Sequence, residues 1–139
     1  ILKEGKQGGL DAVTLGRVDL IGSIGLSRAD VNGERVFDLA KKVCQSTKEA
    51  GLIMTIGGNI EVESHNFVKT LYGQGFLDFF ETRMIVFPAA VASDYSRYKE
   101  AVRVAHQFEL FWLEAMNYHH GKLAERNETR LQMLRKRVE

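Results

Sequence analysis

The chemistry legible in this chain starts at Asp19. It follows a short apolar run with β-branched Val13 and Thr14, closed by Gly16, and precedes Gly22, Ser23 and Gly25. Such a run predicts a buried strand, so the carboxylate is expected on a glycine-rich loop just beyond the strand's carboxyl end. Ligands of α/β folds gather at that end. A carboxylate beside backbone that a ligand can approach closely, as at Gly16, suits a hard cation or an anionic substrate. The plainer alternative is that Asp19 caps the next turn.

Five further groups combine residue types that chemistry uses. Glu61 and His65, four apart, would share a helix face, as would Glu61 and Ser64; that spacing allows a metal site, although acidic residues in a first helical turn usually complement the helix dipole. Gly57-Gly58-Asn59, ahead of a helix, would cradle a phosphate or serve simply as a βα turn. Glu81 and Arg83 stand past a third apolar run, where they pair with each other or reach a ligand, and pairing is the simpler expectation. His119 and His120 are adjacent, so on a helix they diverge and do not chelate; beside Gly121 they suit a helix C-terminus. Lys122, Arg126, Arg130, Arg135, Lys136 and Arg137 are interrupted by Glu125 and Glu128 without interleaved aromatics, which predicts a solvated helix face and not a nucleic-acid surface.

Regular elements must hold these groups. The chain opens at Ile1 as though inside a helix that closes at Gly5. Asn32 is placed to cap a helix from Glu34 to Ala50, with Val36, Phe37, Ala40, Val43, Cys44 and Thr47 as its buried stripe and Gly51 as a left-handed stop. Leu52–Ile56 reads as a strand covered on both faces. A helix from Ile60 to Tyr72 would turn Phe67, Val68 and Leu71 inward. After a turn at Gly73–Gly75, Phe76–Phe80 reads as a third strand ending in Glu81-Thr82-Arg83, and Pro88 breaks the segment after Arg83. Alternation of this kind implies right-handed crossovers and a parallel sheet. From Asp94 a helix of about 25 residues carries Tyr98, Ala101, Val102, Ala105, Phe108, Trp112, Ala115 and Met116 on one stripe. It is expected to pack across the domain or onto another subunit. Gly121 would interrupt it, and a second helix, Leu123–Val138, would carry Leu131, Leu134 and Val138.

The run Leu15-Gly16-Arg17-Val18-Asp19-Leu20, continued by Gly22-Ser23-Ile24-Gly25-Leu26, resembles the G-P-x-D-L-(x)-x-S-x-G-L segment of the HpcH/HpaI aldolase / citrate lyase family. The likeness extends through Gly51-Leu52-Ile53-Met54 and the segment Tyr72–Ala90, and Arg17 stands where the family commonly has proline. The resemblance implies that Asp19 is a ligand of a divalent metal, Mg²⁺ or Mn²⁺, and that Gly16, Val18 and Asp19 offer backbone to the carboxylate of a pyruvate-type 2-oxo acid. Hard cations of this kind take one or two carboxylates and keep several waters, which leaves room for a bidentate substrate. By the same resemblance, a second carboxylate on the preceding strand, an arginine clamp and a histidine base would fall before Ile1. This chain alone is therefore expected neither to bind metal tightly nor to turn over. The family also implies homo-oligomers with C-terminal helices reaching between subunits.

Length and composition bound the rest. A chain of 139 residues suffices for one domain, burying roughly 68% of its unfolded surface. With 45% hydrophobic and 27% charged residues it reads as globular and soluble. A net charge of +1 gives no field favouring nucleic acid or membrane. The single cysteine, Cys44, excludes an internal disulfide and suits a reducing compartment. No apolar run spans a membrane and no signal peptide is seen, so a cytoplasmic protein is expected. A full (β/α)₈ barrel needs ~250 residues. The expected fold class is thus α/β, the C-terminal part of a TIM (β/α)₈ barrel: about three βα units in residues 1–93, then long C-terminal helices in 94–139 as a packing or oligomer element. A complete small α/β domain is the alternative. The expected function is a metal-dependent aldolase or lyase acting on a C–C bond of a 2-oxo acid. The other reading is a non-catalytic interaction module that oligomerises through its aromatic helix. Three parallel strands also leave two open edges, which missing segments or neighbouring copies should cover.

Overall fold

The computed structural model describes residues 2–138 of the chain. Ile1 and Glu139, and the side chains of Lys3 and Val138, lie outside the described residues. The chain forms an α/β domain with a four-stranded mixed sheet, followed by a long C-terminal helix. Two compact units divide it, Ile1–His106 and Gln107–Glu139.

Helix α1 (Leu2–Gln7) passes through Gly5 without closing there, and the chain turns at Gly9, whose φ is +91°. Strand β1 (Ala12–Gly16) runs into helix α2 (Arg17–Ser23) with no intervening loop. Asp19, Gly22 and Ser23, expected on a glycine-rich loop, are therefore helical. Helix α3 (Glu34–Glu49) begins at Gly33 as its N-cap, not at Asn32. Its buried stripe is Val36, Ala40, Cys44 and Thr47, with Phe37 half-buried, whereas Val43 lies off the stripe and is exposed. Thr47 is tolerated there because its hydroxyl donates to the Val43 carbonyl at 2.8 Å. Gly51 takes the expected left-handed conformation at φ +70°.

Strand β2 (Ile53–Gly57) pairs parallel with β1 from Ala12↔Ile53 to Gly16↔Gly57. A 3₁₀ turn (Val62–Ser64) leads to helix α4 (His65–Gly73), so the expected single helix from Ile60 is two elements. Phe67, Val68 and Leu71 face inward as anticipated. Strand β3 (Phe79–Glu81) is shorter than expected and parallel to β2. The Phe76 N–H closes the end of α4 on the Leu71 carbonyl. The Asp78 carboxylate takes the Met54 N–H at 2.7 Å while pairing with Lys48 at 2.7 Å.

The sheet is not all parallel. Strand β4 (Val86–Pro88) returns antiparallel to β3, giving the order β1-β2-β3-β4. The turn is held by the Thr82 N–H on the Ile85 carbonyl at 2.9 Å and the Ile85 N–H on the Thr82 hydroxyl at 3.2 Å. Pro88, lacking an N–H, ends this edge strand instead of merely interrupting a coil. A 3₁₀ segment (Ala89–Ser93) then leads to helix α5 (Tyr95–Val138), which runs unbroken through Gly121. The two C-terminal helices expected are one, since a single mid-helix glycine costs only about 1 kcal/mol. His119 and His120 consequently lie mid-helix and not at a C-terminus.

The core of the first unit lies where α3 and α4 meet the sheet, and Tyr98, Val102 and Ala105 of α5 complete it. Phe80 sits at its centre, ring to ring with Phe87 at 5.2 Å and Tyr98 at 5.3 Å. Phe80→Ala should cost about 3–5 kcal/mol by urea unfolding, whereas Val104→Ala, at an exposed site of the same helix as Tyr98, should stay within about 0.5 kcal/mol. Burial pushes the Cys44 thiol up to about 12 from its ordinary 9.0. The native state thus keeps a proton that the unfolded chain releases. That stabilisation is complete below pH 9.0 and is lost as pH rises towards about 12. Urea titrations in this window should show a shallower decline for Cys44→Ala than for the parent chain.

Candidate functional site

The carboxyl ends of three parallel strands come together at one level. Gly16 ends β1 opposite Gly57 of β2, and Glu81 ends β3 one step past the Ile56↔Phe80 pair. At both strand ends a flexible acidic side chain fills the space that the glycine leaves. A Cβ on Gly16 would collide with the Asp19 carboxylate, and one on Gly57 would lie 2.8 Å from Oε1 of Glu81. Asp19 and Glu81 thus fold over adjacent glycine floors at the sheet's carboxyl edge. Gly58 has no room either: a Cβ there would sit 2.7 Å from the Val18 nitrogen and 2.8 Å from that of Arg17. Its φ of +80° and that of Asn59, +53°, turn the chain sharply beneath the start of α2.

Asp19 occupies the third position of α2, after the Gly16 N-cap, and is exposed. Asp19 is not the cap of this turn; a carboxylate at its position complements the dipole, and its side chain bends back over Gly16. The first N–H groups of α2, those of Arg17, Val18 and Asp19, have no acceptor within the helix. The three residues expected to form a site, Gly16, Val18 and Asp19, therefore stay together at one strand–helix junction.

Arg17 is the feature that residue-type reasoning passed over. It is fully buried. Nη1 donates to Asn32 Oδ1 at 2.8 Å, and Nη2 to the Gly58 and Asn59 carbonyls at 3.0 and 2.9 Å and to the Ser64 hydroxyl at 3.2 Å. Nε reaches the Gly57 carbonyl at 3.4 Å, and the guanidinium carbon lies 4.8 Å from the centre of the Phe67 ring. Desolvation pulls its pKa down to about 10, against the opposing influence of Tyr98 and Glu61. With its donors engaged by protein oxygens, Arg17 is no substrate clamp; it ties the β1–α2 junction to the loop after β2. The signal for it was an arginine directly after a strand-closing glycine, with a second glycine pair at the end of the next strand.

No family model, curated protein or solved structure matches this chain.

The remaining candidates resolve as structural. In Gly57-Gly58-Asn59 the carbonyls serve Arg17, and helix α4 begins only at His65, so this loop does not open directly into a helix as the phosphate reading expected. Glu61 and His65 do not share a helix face, because Glu61 precedes the 3₁₀ turn and His65 begins α4. His65 is buried with Nε2 2.9 Å from the Ala92 carbonyl; a carbonyl only accepts, so that nitrogen carries the proton and is not a ligand. Ser64 receives the Glu61 N–H at 3.2 Å, and Tyr98 donates to the Glu61 carbonyl at 2.9 Å. Glu81 turns to the Gly57 floor. Among the described residues no three His, Cys, Asp or Glu side chains converge on a cation position. The basic residues from Lys122 to Arg137 are exposed, as a solvated face should be. No helix among the described residues is long and apolar enough to cross a membrane.

Replacing Arg17 with Met strands several buried oxygens and should cost about 3 kcal/mol or more of unfolding free energy. Arg17→Lys should recover little of that loss, because a point ammonium does not span the fork of acceptors. Urea melts of the two variants check this.

Proposed function

We propose that this chain supplies the C-terminal βα units of a (β/α)₈ barrel that cleaves or forms a C–C bond in a pyruvate-type 2-oxo acid with Mg²⁺ or Mn²⁺. The observation that carries the reading is the shared level of Gly16, Gly57 and Glu81 at the carboxyl edge of three parallel strands, with Asp19 folded over the first of them. Barrel active sites are built at that edge. The outer edge of β1, bare of any strand among the described residues, is where a preceding barrel strand would pair, whereas the outer edge of β3 carries antiparallel β4 and not a parallel barrel strand.

In this reading Asp19 gives one carboxylate oxygen to the cation. Asp19 itself fills the space over Gly16, so a substrate carboxylate would lie beside it, towards the N–H groups of Val18 and Asp19 and their partial positive charge. When bound, the divalent cation polarises the 2-oxo group. Arg17 keeps the junction rigid, so these groups hold their spacing without moving to meet the ligand. By the resemblance, the remaining ligands and the acid–base group would stand on other strands of the barrel. A second reading, a non-catalytic α/β module that oligomerises through its C-terminal helix, draws on the exposure of Phe111, Trp112 and Tyr118 at 63%, 48% and 70%.

In the protein whose barrel this chain completes, exchange of pyruvate methyl protons in D₂O, followed by NMR, should require Mg²⁺ or Mn²⁺. Asp19→Asn should slow that exchange by at least about a hundredfold. Exchange that is absent with both metals, or unaffected by the substitution, overturns the aldolase assignment and leaves the interaction module.

A further inference from the structure

We propose that residues 107–138 pair antiparallel with the same segment of a second copy of the chain, as a two-stranded coiled coil. The pairing holds whether or not Asp19 binds a cation, and it gives the oligomerising helix a geometry. The segment is helical throughout and about 48 Å long at 1.5 Å per residue. Leu110, Leu113, Leu131 and Leu134 are exposed by 53%, 45%, 46% and 43%. Steps of four and three from Leu113 pass through Asn117, His120, Ala124 and Asn127 to Leu131, so one seam at heptad spacing joins the two leucine pairs.

An antiparallel register centred on Lys122 matches that seam to itself. Leu110 meets the partner's Leu134 and Leu113 the partner's Leu131, while Asn117 meets the partner's Asn127 and His120 the partner's Ala124. Apolar layers fall on apolar layers, and the paired asparagines satisfy each other. The helix also carries the receiving shape. Asn127, Arg130, Leu131 and Leu134 line a depression of about 290 Å³, the four-residue hole that a facing knob fills. In this register the knob is Leu113 of the second copy.

Charge selects the direction. Residues 107–121 contain two acidic residues and no Lys or Arg, whereas 122–138 contain six Lys or Arg and two acidic residues. Antiparallel pairing lays one half on the other and brings Glu109 beside the partner's Arg137. Its one like-charge meeting, Glu114 with the partner's Glu128, is relieved by Arg135, 4.0 Å from Glu128 in the same helix. Parallel pairing would instead oppose Glu109 to Glu114 and Arg130 to Arg135, with no unlike pair in return.

Sedimentation velocity on the full chain should show a dimer. Leu131→Asp should raise its dissociation constant by about a hundredfold or more, while urea unfolding of the first unit stays unchanged, which excludes misfolding as the cause. Orientation is read by disulfide trapping, with native Cys44 buried and out of reach. Mixed Leu113→Cys and Leu131→Cys chains should cross-link to each other faster than either does to itself. A chain that stays monomeric over its soluble range, or Leu113→Cys linking fastest to itself, overturns the proposal.

Discussion

A guanidinium with no solvent contact, held by neutral oxygens and not by a carboxylate, is the constraint on which the site side of this molecule depends. Removing such an ion from water costs several kcal/mol, and only a full set of well-placed acceptors makes it tolerable. The chain provides them from three places: the Asn32 amide ahead of α3, the Gly57–Asn59 carbonyls after β2, and the Ser64 hydroxyl before α4. Each acceptor fixes its own segment. The left-handed turn at Gly58 and Asn59 is held in place because its carbonyls must face Arg17.

That network continues into the core without a break. Ser64 also receives the Glu61 N–H, and the Glu61 carbonyl receives the Tyr98 hydroxyl. Tyr98 packs against Phe80 and His65, whose ring nitrogen holds the Ala92 carbonyl. The carboxyl edge of the sheet is therefore braced from below by polar contacts and from behind by aromatic rings. Asp19 stays exposed at that edge.

The second unit obeys different physics. A long helix gains most of its stability from covering an apolar face, and the ring of large side chains around Trp112 is uncovered within one chain. The first unit has a closed core by contrast, with every buried side-chain polar atom among the described residues paired. One chain thus combines a satisfied α/β domain with a helix whose large apolar side chains are exposed.

Local pattern was enough for the elements whose cause is local. Helix α3 shows itself by a three-and-four spacing and a closing glycine, and β2 by a continuous apolar run; each depends on neighbours a few residues away. Features that depended on distant partners stayed hidden. β3 loses its first residues to the end of α4 and to the Asp78 carboxylate; β4 exists only as a pairing with β3; and Asn32, a credible cap by type, serves Arg17 instead. Gly121 reads as a break by type yet lies within one helix. Arg17 shows the limit most plainly, because in sequence it is one charged residue and its meaning is a set of oxygens up to 47 positions away. A buried charge is defined by the atoms around it, and only the folded chain supplies those surroundings.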